Sequence, residues 1–240
     1  MKLTFRNIHF TYPGLAIPAL NGVSLEFSAG ERVALVGRNG SGKSTLMLIA
    51  NGILRPQQGK LLFDGRPVYY DRSGLLELRR NVGVVFQNPD DQLFSASVYQ
   101  DISLGPLNLG LSQKEARRRV LETAEFCGLS GLLERPTHAL SGGEKARAAL
   151  AGVLAMSPHF LFADELTNSL DPWMRQQVLE IFEQLSASGC AVILATHDWS
   201  LANIWAQRVI WLEAGRVFRT GEPADVFCDQ SIPQECKHHV

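Results

Sequence analysis

The sequence predicts an α/β fold built on a mixed sheet, with an antiparallel β edge and an inserted α-helical subdomain. Four short apolar runs carry the first part of this prediction, and each ends in a polar or glycine residue: 32–37, 82–87, 159–165 and 191–197. Such runs are typical of parallel strands that are buried on both faces and have functional residues at their carboxyl ends. Between about 90 and 150 this signal disappears and helical periodicity dominates, which predicts the inserted subdomain.

The two ends of the predicted core supply the antiparallel strands. The stretch 2–12 alternates apolar and polar residues in two halves that are out of phase, so we expect a half-exposed strand with one interruption. The stretch 208–221 predicts a hairpin that turns at residues 213–215.

Two helix starts stand out between the strands. Ser112 with Glu115 predicts a capping box, and Gly128 predicts the end of that helix. One apolar stripe would face the core: Ala116, Val120, Ala124 and Cys127. Asp171 and Pro172 form a second predicted N-cap and first turn.

Composition places the chain among globular proteins without a strong charge bias. Its 240 residues are 45% hydrophobic, and 23 basic against 24 acidic residues give a net charge of −1. We therefore expect no nucleic-acid partner. The four cysteines form no C-x-x-C pair and no signal-peptide core opens the sequence, which fits a reducing cytosol. Because the apolar runs are far shorter than the roughly 18 residues of a bilayer span, a membrane role requires a partner.

A phosphate-binding loop follows the first apolar run. Gly37-x-x-x-x-Gly42-Lys43-Ser44 lies between a predicted strand and a predicted helix, the context that a P-loop requires. Its backbone N–H groups converge on phosphate oxygens, Lys43 adds a charge and the Ser44 hydroxyl can bind Mg²⁺. A glycine-rich turn with an exposed lysine is the alternative. The predicted nucleotide ligands are Gly37, Asn39, Gly40, Ser41, Gly42, Lys43, Ser44 and Thr45.

Hydrolysis needs further polar groups, and the other strand ends supply them. Asp164 would lie beside Mg²⁺ and Glu165 beside an attacking water, although a pair of surface charges is the alternative. His197 can hydrogen-bond the γ-phosphate, whereas a lone histidine is more often structural. Gln87 is a candidate ligand of Mg²⁺ or water, and a solvated side chain is the alternative. Tyr12 is either a stacking platform for adenine or simply an aromatic residue at the edge of a strand.

A second glycine-containing loop runs into a helix at residues 141–143. A helix start without a lysine is only a modest anion site, so the sequence holds one strong phosphate cradle and one weak one.

Together these features resemble the ATPase subunits of ABC transporters over about residues 1–222, with 223–240 as a tail. The resemblance implies a P-loop NTPase (RecA-like) core and covers seven motifs in the family's order. These are the adenine-stacking Tyr12, the Walker A loop Gly37–Thr45, the Q-loop Gln87, the signature motif Leu140–Glu144, the Walker B pair Asp164–Glu165, the D-loop Ser169–Asp171 and the switch His197.

The resemblance implies an arrangement that explains the second cradle. Two protomers, identical or paralogous, would pair head to tail, so that Ser141, Gly142 and Gly143 of one chain cap the γ-phosphate held by the partner's P-loop. ATP and Mg²⁺ would be the cofactors. The Mg²⁺ ligands would be Ser44, Gln87 and Asp164, and the catalytic residues Glu165, His197 and Gln87.

Four positions depart from the family pattern: Glu144, Leu166, Ala163 and Asn168 stand where glutamine, proline, a bulkier residue and serine are common. None of them removes a catalytic group. The negative charge of Glu144 lies near the loop that would meet phosphate, so we expect it to point away or to pair with a base such as Lys145 or Arg147.

The stretches 84–112 and 150–158 are similar to the energy-coupling-factor group, especially its cobalt and nickel importers. This implies separate integral membrane transport subunits and a peripheral location on the cytoplasmic face of the membrane. Leu93, Phe94 and Val98 would line the groove that receives the membrane subunit, or belong to the core of the helical subdomain.

Three alternatives remain open: a vitamin such as biotin as cargo, a soluble ABC ATPase without a membrane partner, or a nucleotide-binding module without turnover. The tail residues Cys228, Cys236, His238 and His239 have no standard zinc spacing, so we expect a polar terminus there rather than a metal site.

Overall fold

The computed structural model describes residues 1–167 and 170–227. Its central sheet has six strands in the order β10-β9-β3-β8-β7-β6, of which β10 alone is antiparallel to its neighbour. Their bounds are β3 Arg32–Val36, β6 Val82–Val85, β7 Phe160–Asp164, β8 Ala191–Thr196, β9 Arg208–Glu213 and β10 Arg216–Gly221. The four apolar runs are therefore parallel strands, and the sheet is mixed, as predicted.

A second, antiparallel sheet packs beside the first in the order β2-β1-β4-β5. Its bounds are β1 Lys2–Phe10, β2 Leu20–Ser28, β4 Gln58–Phe63 and β5 Arg66–Pro67. The register of β1 shifts between Phe5 and Ile8, which confirms the predicted interruption, and Asn7 adopts φ 51° there. The predicted hairpin is also present, because Ala214 and Gly215 turn between β9 and β10.

Helices cover the sheets and fill the stretch between β6 and β7. The bounds are α1 Lys43–Ala50, α2 Arg72–Asn81, α3 Val98–Asn108, α4 Gln113–Phe126, α5 Gly142–Leu154, α6 Pro172–Ala187, α7 Trp199–Trp205 and α8 Pro223–Phe227. The chain from 86 to 159 contains helices and no strand. None of the helices in the described residues is long and apolar enough to cross a bilayer.

The central sheet separates two apolar cores. Along β3, Val33 and Leu35 face the core shared with α1 and the antiparallel sheet, whereas Ala34 and Val36 face the core shared with α5 and α6. A parallel strand covered on both faces reads as a continuous apolar run for this reason. Phe162 of β7 meets the edge of Phe27 from β2 at 5.5 Å between ring centroids, which joins the two sheets.

Two local predictions need correction. Ser112 caps α4 by accepting from the Glu115 N–H, but the Glu115 carboxylate pairs with Arg118 at 2.6 Å instead of closing the capping box. A bidentate arginine contact competes successfully for that carboxylate. Val98 is fully buried in the core, so it cannot form a wall of an open groove.

Candidate nucleotide-binding and hydrolysis site

The strand ends bring the predicted polar residues to one edge of the central sheet. In the parallel ladder Val36 pairs with Thr196, and Asp164 pairs with Ala195. Because β3, β7, β8 and β6 are adjacent and parallel, their following loops lie side by side. The residues that share this edge are Gly37–Thr45, Gln87, Asp164, Glu165 and His197.

The backbone of the P-loop requires glycine at its two ends. A Cβ at Gly37 would lie 2.3 Å from the carbonyl oxygen of Leu212, and one at Gly42 would lie 2.6 Å from that of Ala19. Both residues also have positive φ, 153° and 108°. Gly42 precedes α1 without a side-chain cap, so the first N–H groups of α1 remain available to a phosphate.

The Lys43 amine is folded back into the loop. It is 5% exposed, and its Nζ donates to the carbonyl oxygens of Gly37 at 2.7 Å and Arg38 at 3.3 Å. Burial lowers the pKa of this amine, while the charges of Glu165 and Asp164 act in the opposite direction. The cation is thus held where a phosphate can take over its hydrogen bonds.

The Asp164 carboxylate lies against Ser44, which is where the sequence places a magnesium site. Burial raises the pKa of Asp164, and a hydrogen bond from the Ser44 hydroxyl opposes that shift. A buried carboxylate beside a hydroxyl is an oxygen donor set that fits Mg²⁺, an ion held by few protein groups together with substrate phosphates. The chemistry of these residues therefore fits the predicted ion.

Glu165 stands between the other two predicted catalytic residues. Its Oε2 accepts from Gln87 Nε2 at 3.2 Å, and its Oε1 is 3.2 Å from His197 Nδ1. The Glu165 side chain is 10% exposed and that of His197 60% exposed. The three side chains form one hydrogen-bonded group that opens to solvent through the histidine.

Tyr12 lies beside the P-loop. Its hydroxyl is 3.2 Å from Thr45 Oγ1, and its ring meets the edge of Phe10 at 5.0 Å between centroids. These contacts fix a partly exposed ring next to the start of α1, where an adenine attached to bound phosphates can stack.

The second cradle is the N-terminus of α5. Ser141 is its N-cap, and Ser141 and Gly142 are exposed. Glu144 closes a complete capping box, because its carboxylate accepts from Ser141 N–H at 2.7 Å and the Ser141 hydroxyl accepts from Glu144 N–H at 3.3 Å. The carboxylate therefore folds back onto the start of its own helix and accepts from the Ser141 N–H.

The base that pairs with Glu144 is neither of the two named as examples. Its carboxylate is 3.7 Å from Arg135, while Lys145 pairs with Asp90 at 2.6 Å. Arg147 donates to the carbonyl oxygens of Cys127 and Gly128. On a helix, residues 144 and 145 point about 100° apart, so neighbouring positions do not face each other.

Sequence reasoning missed one ion pair near the site. Arg175 of α6 pairs with Asp198, the residue after His197. The Asp-x-x-x-Arg spacing that begins at the N-cap of α6 is visible in the sequence. It does not identify an ion-pair partner more than twenty residues away. The predicted D-loop residue Ser169 lies outside the described residues. So do Asn168, one of the four departures from the family pattern, and the tail cysteines and histidines.

Comparison with known proteins agrees with this geometry. A sequence model of the ABC transporter family matches residues 20–168. The energy-coupling factor transporter ATP-binding protein EcfA of Methanothermobacter thermautotrophicus is 44% identical over 230 residues, covering 96% of this chain and 74% of that protein. EcfA of Methanocaldococcus jannaschii is 43% identical over 225 residues, covering 93% and 80%.

Solved structures give the same assignment. CbiO1 of Clostridium perfringens, part of the ABC transporter complex CbiONQ, superposes with a TM-score of 0.85 at 39% identity over 99% of this chain and 95% of that one. The cassette MJ0796, a post-hydrolysis dimer with ADP and Pi, gives 0.84 at 29% identity over 92% and 98%. The chain belongs to the ABC transporter family, and it is an ATPase of that family. Its predicted resemblance to the energy-coupling-factor group is confirmed.

Proposed function

We propose that this chain is the ATP-hydrolysing subunit of an energy-coupling-factor importer, held at the cytoplasmic face of the membrane by transmembrane partners. The observation that carries the catalytic part is the position of Glu165, hydrogen-bonded to Gln87 and His197 at the sheet edge that also holds the P-loop and Asp164. A buried carboxylate oriented by two neighbours is suited to accept a proton from an attacking water.

Each group of residues has a separate role in ATP binding and hydrolysis. The N–H groups at the start of α1 and the Lys43 amine bind the β- and γ-phosphates, and Lys43 exchanges its bonds to the loop carbonyls for bonds to phosphate. Ser44, Asp164 and Gln87 would hold Mg²⁺, which neutralises developing phosphate charge when bound. Glu165 takes the proton of the water, and His197 keeps the carboxylate in place.

The weak second cradle fits a site shared between two chains. The capping box at the N-terminus of α5 uses the N–H groups of Ser141 and Glu144, and residues 141–143, which include no lysine, are open to solvent at Ser141 and Gly142. The P-loop of a second protomer would deliver the anion together with the lysine charge that this helix start lacks. We propose head-to-tail dimer closure over ATP on this basis, and MJ0796, 29% identical, is itself a dimer.

A groove beside the Q-loop is the proposed docking site of the membrane subunit. It has a volume of about 430 Å³ and lies between the end of α1, α2, α3 and α5. Its apolar walls include Ile53, Leu76, Leu93, Phe94, Leu104 and Met156. Phe94 is 78% exposed, which is costly for a phenylalanine without a partner. An amphipathic helix of a membrane subunit suits such a groove.

Cobalt or nickel is the proposed cargo. The support is the similarity to CbiO1 and to the EcfA proteins. The ATPase chain has no contact with the cargo in this scheme, so cargo identity must be measured on the assembled transporter.

Substitution Phe94→Asp tests the docking and the transport role together. We expect the variant to lose co-purification with the transmembrane subunits from detergent extracts and to lose ATP-dependent ⁵⁷Co²⁺ uptake in cells, with biotin uptake as the comparison. Leu121→Asp is the matched control, because Leu121 is 46% exposed on α4 outside the groove. Full uptake and co-purification by Phe94→Asp would contradict the proposal. Loss of folding of the free Phe94→Asp subunit would also contradict it, because the change would then act on the fold and not on docking.

A further inference from the structure

The first turn of α6 touches two loops that face phosphate. On one side Arg175 pairs with Asp198, the residue that follows His197. On the other side Met174 packs on Gly143 of the second cradle, where a Cβ would lie 2.4 Å from Met174 Cε. Two consecutive residues of one helix thus connect the histidine loop to the N-terminus of α5.

The contact with the histidine loop is specific. Asp198 accepts from Arg175 Nη2 with one carboxylate oxygen and from Leu201 N–H at 2.9 Å with the other, so the carboxylate also caps α7. Its own N–H donates to Thr196 Oγ1 at 3.0 Å. The side chains of Arg175 and Asp198 are only 32% and 27% exposed, so solvent screens the pair weakly.

The turn that links the two contacts is itself fixed. The Asp171 carboxylate accepts from the N–H groups of Trp173 and Met174, both at 3.0 Å. Met174 is 9% exposed, so its side chain cannot leave Gly143 without opening a cavity. The turn therefore forms one continuous path of contacts from Asp198 to the backbone of Gly143.

We propose that Arg175 is a positioning residue that couples the two ATP sites of the dimer. The proposal rests on the head-to-tail arrangement proposed above, in which His197 faces the chain's own nucleotide and Gly143 faces the partner's. Release of γ-phosphate from one site frees His197 and shifts Asp198, and the Arg175–Met174 turn then moves Gly143 away from the other nucleotide. Within each chain the shift passes from His197 to Gly143. Because the dimer is symmetric, the two chains together couple both sites.

The test is the ATP dependence of hydrolysis in the purified dimer. We expect a Hill coefficient above 1 for the wild type that falls to about 1 in Arg175→Ala, because the coupling free energy between the sites is lost. Arg175→Lys keeps the charge and should retain part of the cooperativity. Asp198→Asn should behave like Arg175→Ala, since asparagine can still cap α7 while the charge pair is lost. Glu183→Gln is the matched control, because it removes a different arginine pair, with Arg32, from the same helix.

The outcomes separate the inference from the proposed function. A purely structural role for Arg175 would lower the melting temperature without changing the Hill coefficient, which would overturn the inference. A wild-type Hill coefficient of 1, or equal loss in Glu183→Gln, would overturn it too. If dimers mixed from Lys43→Ala and Ser141→Arg chains regain hydrolysis while Arg175→Ala stays cooperative, the shared site stands and only the coupling role fails.

Discussion

Glu165 adopts a backbone conformation that few residues other than glycine tolerate. Its φ is 47°, and its N–H donates to the carbonyl oxygen of Ala195 at 2.9 Å. Such a conformation costs about 1–3 kcal/mol and persists only where the surroundings impose it. Here it directs the carboxylate toward Gln87 and His197. The sequence predicted two carboxylates at a strand end, but a φ angle set by the neighbouring strand is not visible in it.

Substitution Glu165→Gln tests the assignment of the base. Glutamine keeps the size of the side chain and one acceptor oxygen but cannot take a proton, so turnover should fall by about 10²–10⁴-fold with ATP affinity retained. Steady-state ATPase assays and nucleotide titration measure the two effects. Lys43→Ala should instead weaken nucleotide binding itself. Wild-type turnover in Glu165→Gln would contradict the assignment.

A matched pair of glycines tests the packing of the P-loop. Gly37 and Gly40 both have positive φ, but a Cβ at Gly37 would meet the Leu212 carbonyl at 2.3 Å, whereas Gly40 has open space. Gly37→Ala should therefore cost about 1–3 kcal/mol more than Gly40→Ala, the usual cost of forcing atoms into a packed site. Urea unfolding of the two variants measures the difference. Equal free energies of unfolding would contradict the close approach.

The signature helix α5 is tied to the segment that follows Gln87. Lys145 pairs with Asp90 at 2.6 Å, and Gln92 accepts from Phe86 N–H while donating to the carbonyl oxygen of Ala149 at 3.0 Å. The groove walls Leu93 and Phe94 come directly after these residues. The sequence predicted each element, since periodicity and caps are local signals, but not the contacts between them, which depend on how the helices pack.

Charge reversal tests whether that link carries the signal from the groove. Lys145→Glu should reduce the stimulation of ATPase activity by the assembled membrane subunits, and adding Asp90→Lys should restore it. The pair is partly exposed, so we expect its loss to change the stability of the free subunit by less than about 1 kcal/mol. The ratio of activity in the complex to that of the free subunit is the measurement. Full stimulation in the single variant would contradict a signalling role.

At the scale of the whole molecule, the proposed ATP site draws on two separate parts of the chain. The P-loop, Asp164 and Glu165 share one sheet edge, whereas the Ser141 loop begins a helix of the inserted segment and is open to solvent. The order of the motifs was sufficient to predict the family and the mixed sheet. A contact between two chains has no trace in the periodicity of one chain, so the sequence predicted the shared site only through the family resemblance.

The most direct test of the shared site mixes two inactive proteins. Lys43→Ala and Ser141→Arg should each be nearly inactive alone, because each homodimer has the same lesion in both sites. In a mixed dimer both lesions fall in one site, and the other combines an intact P-loop with an intact signature loop. We predict that ATP hydrolysis returns on mixing, in proportion to the mixed dimers isolated with two affinity tags. Persistent inactivity of the doubly tagged dimers would contradict the head-to-tail arrangement.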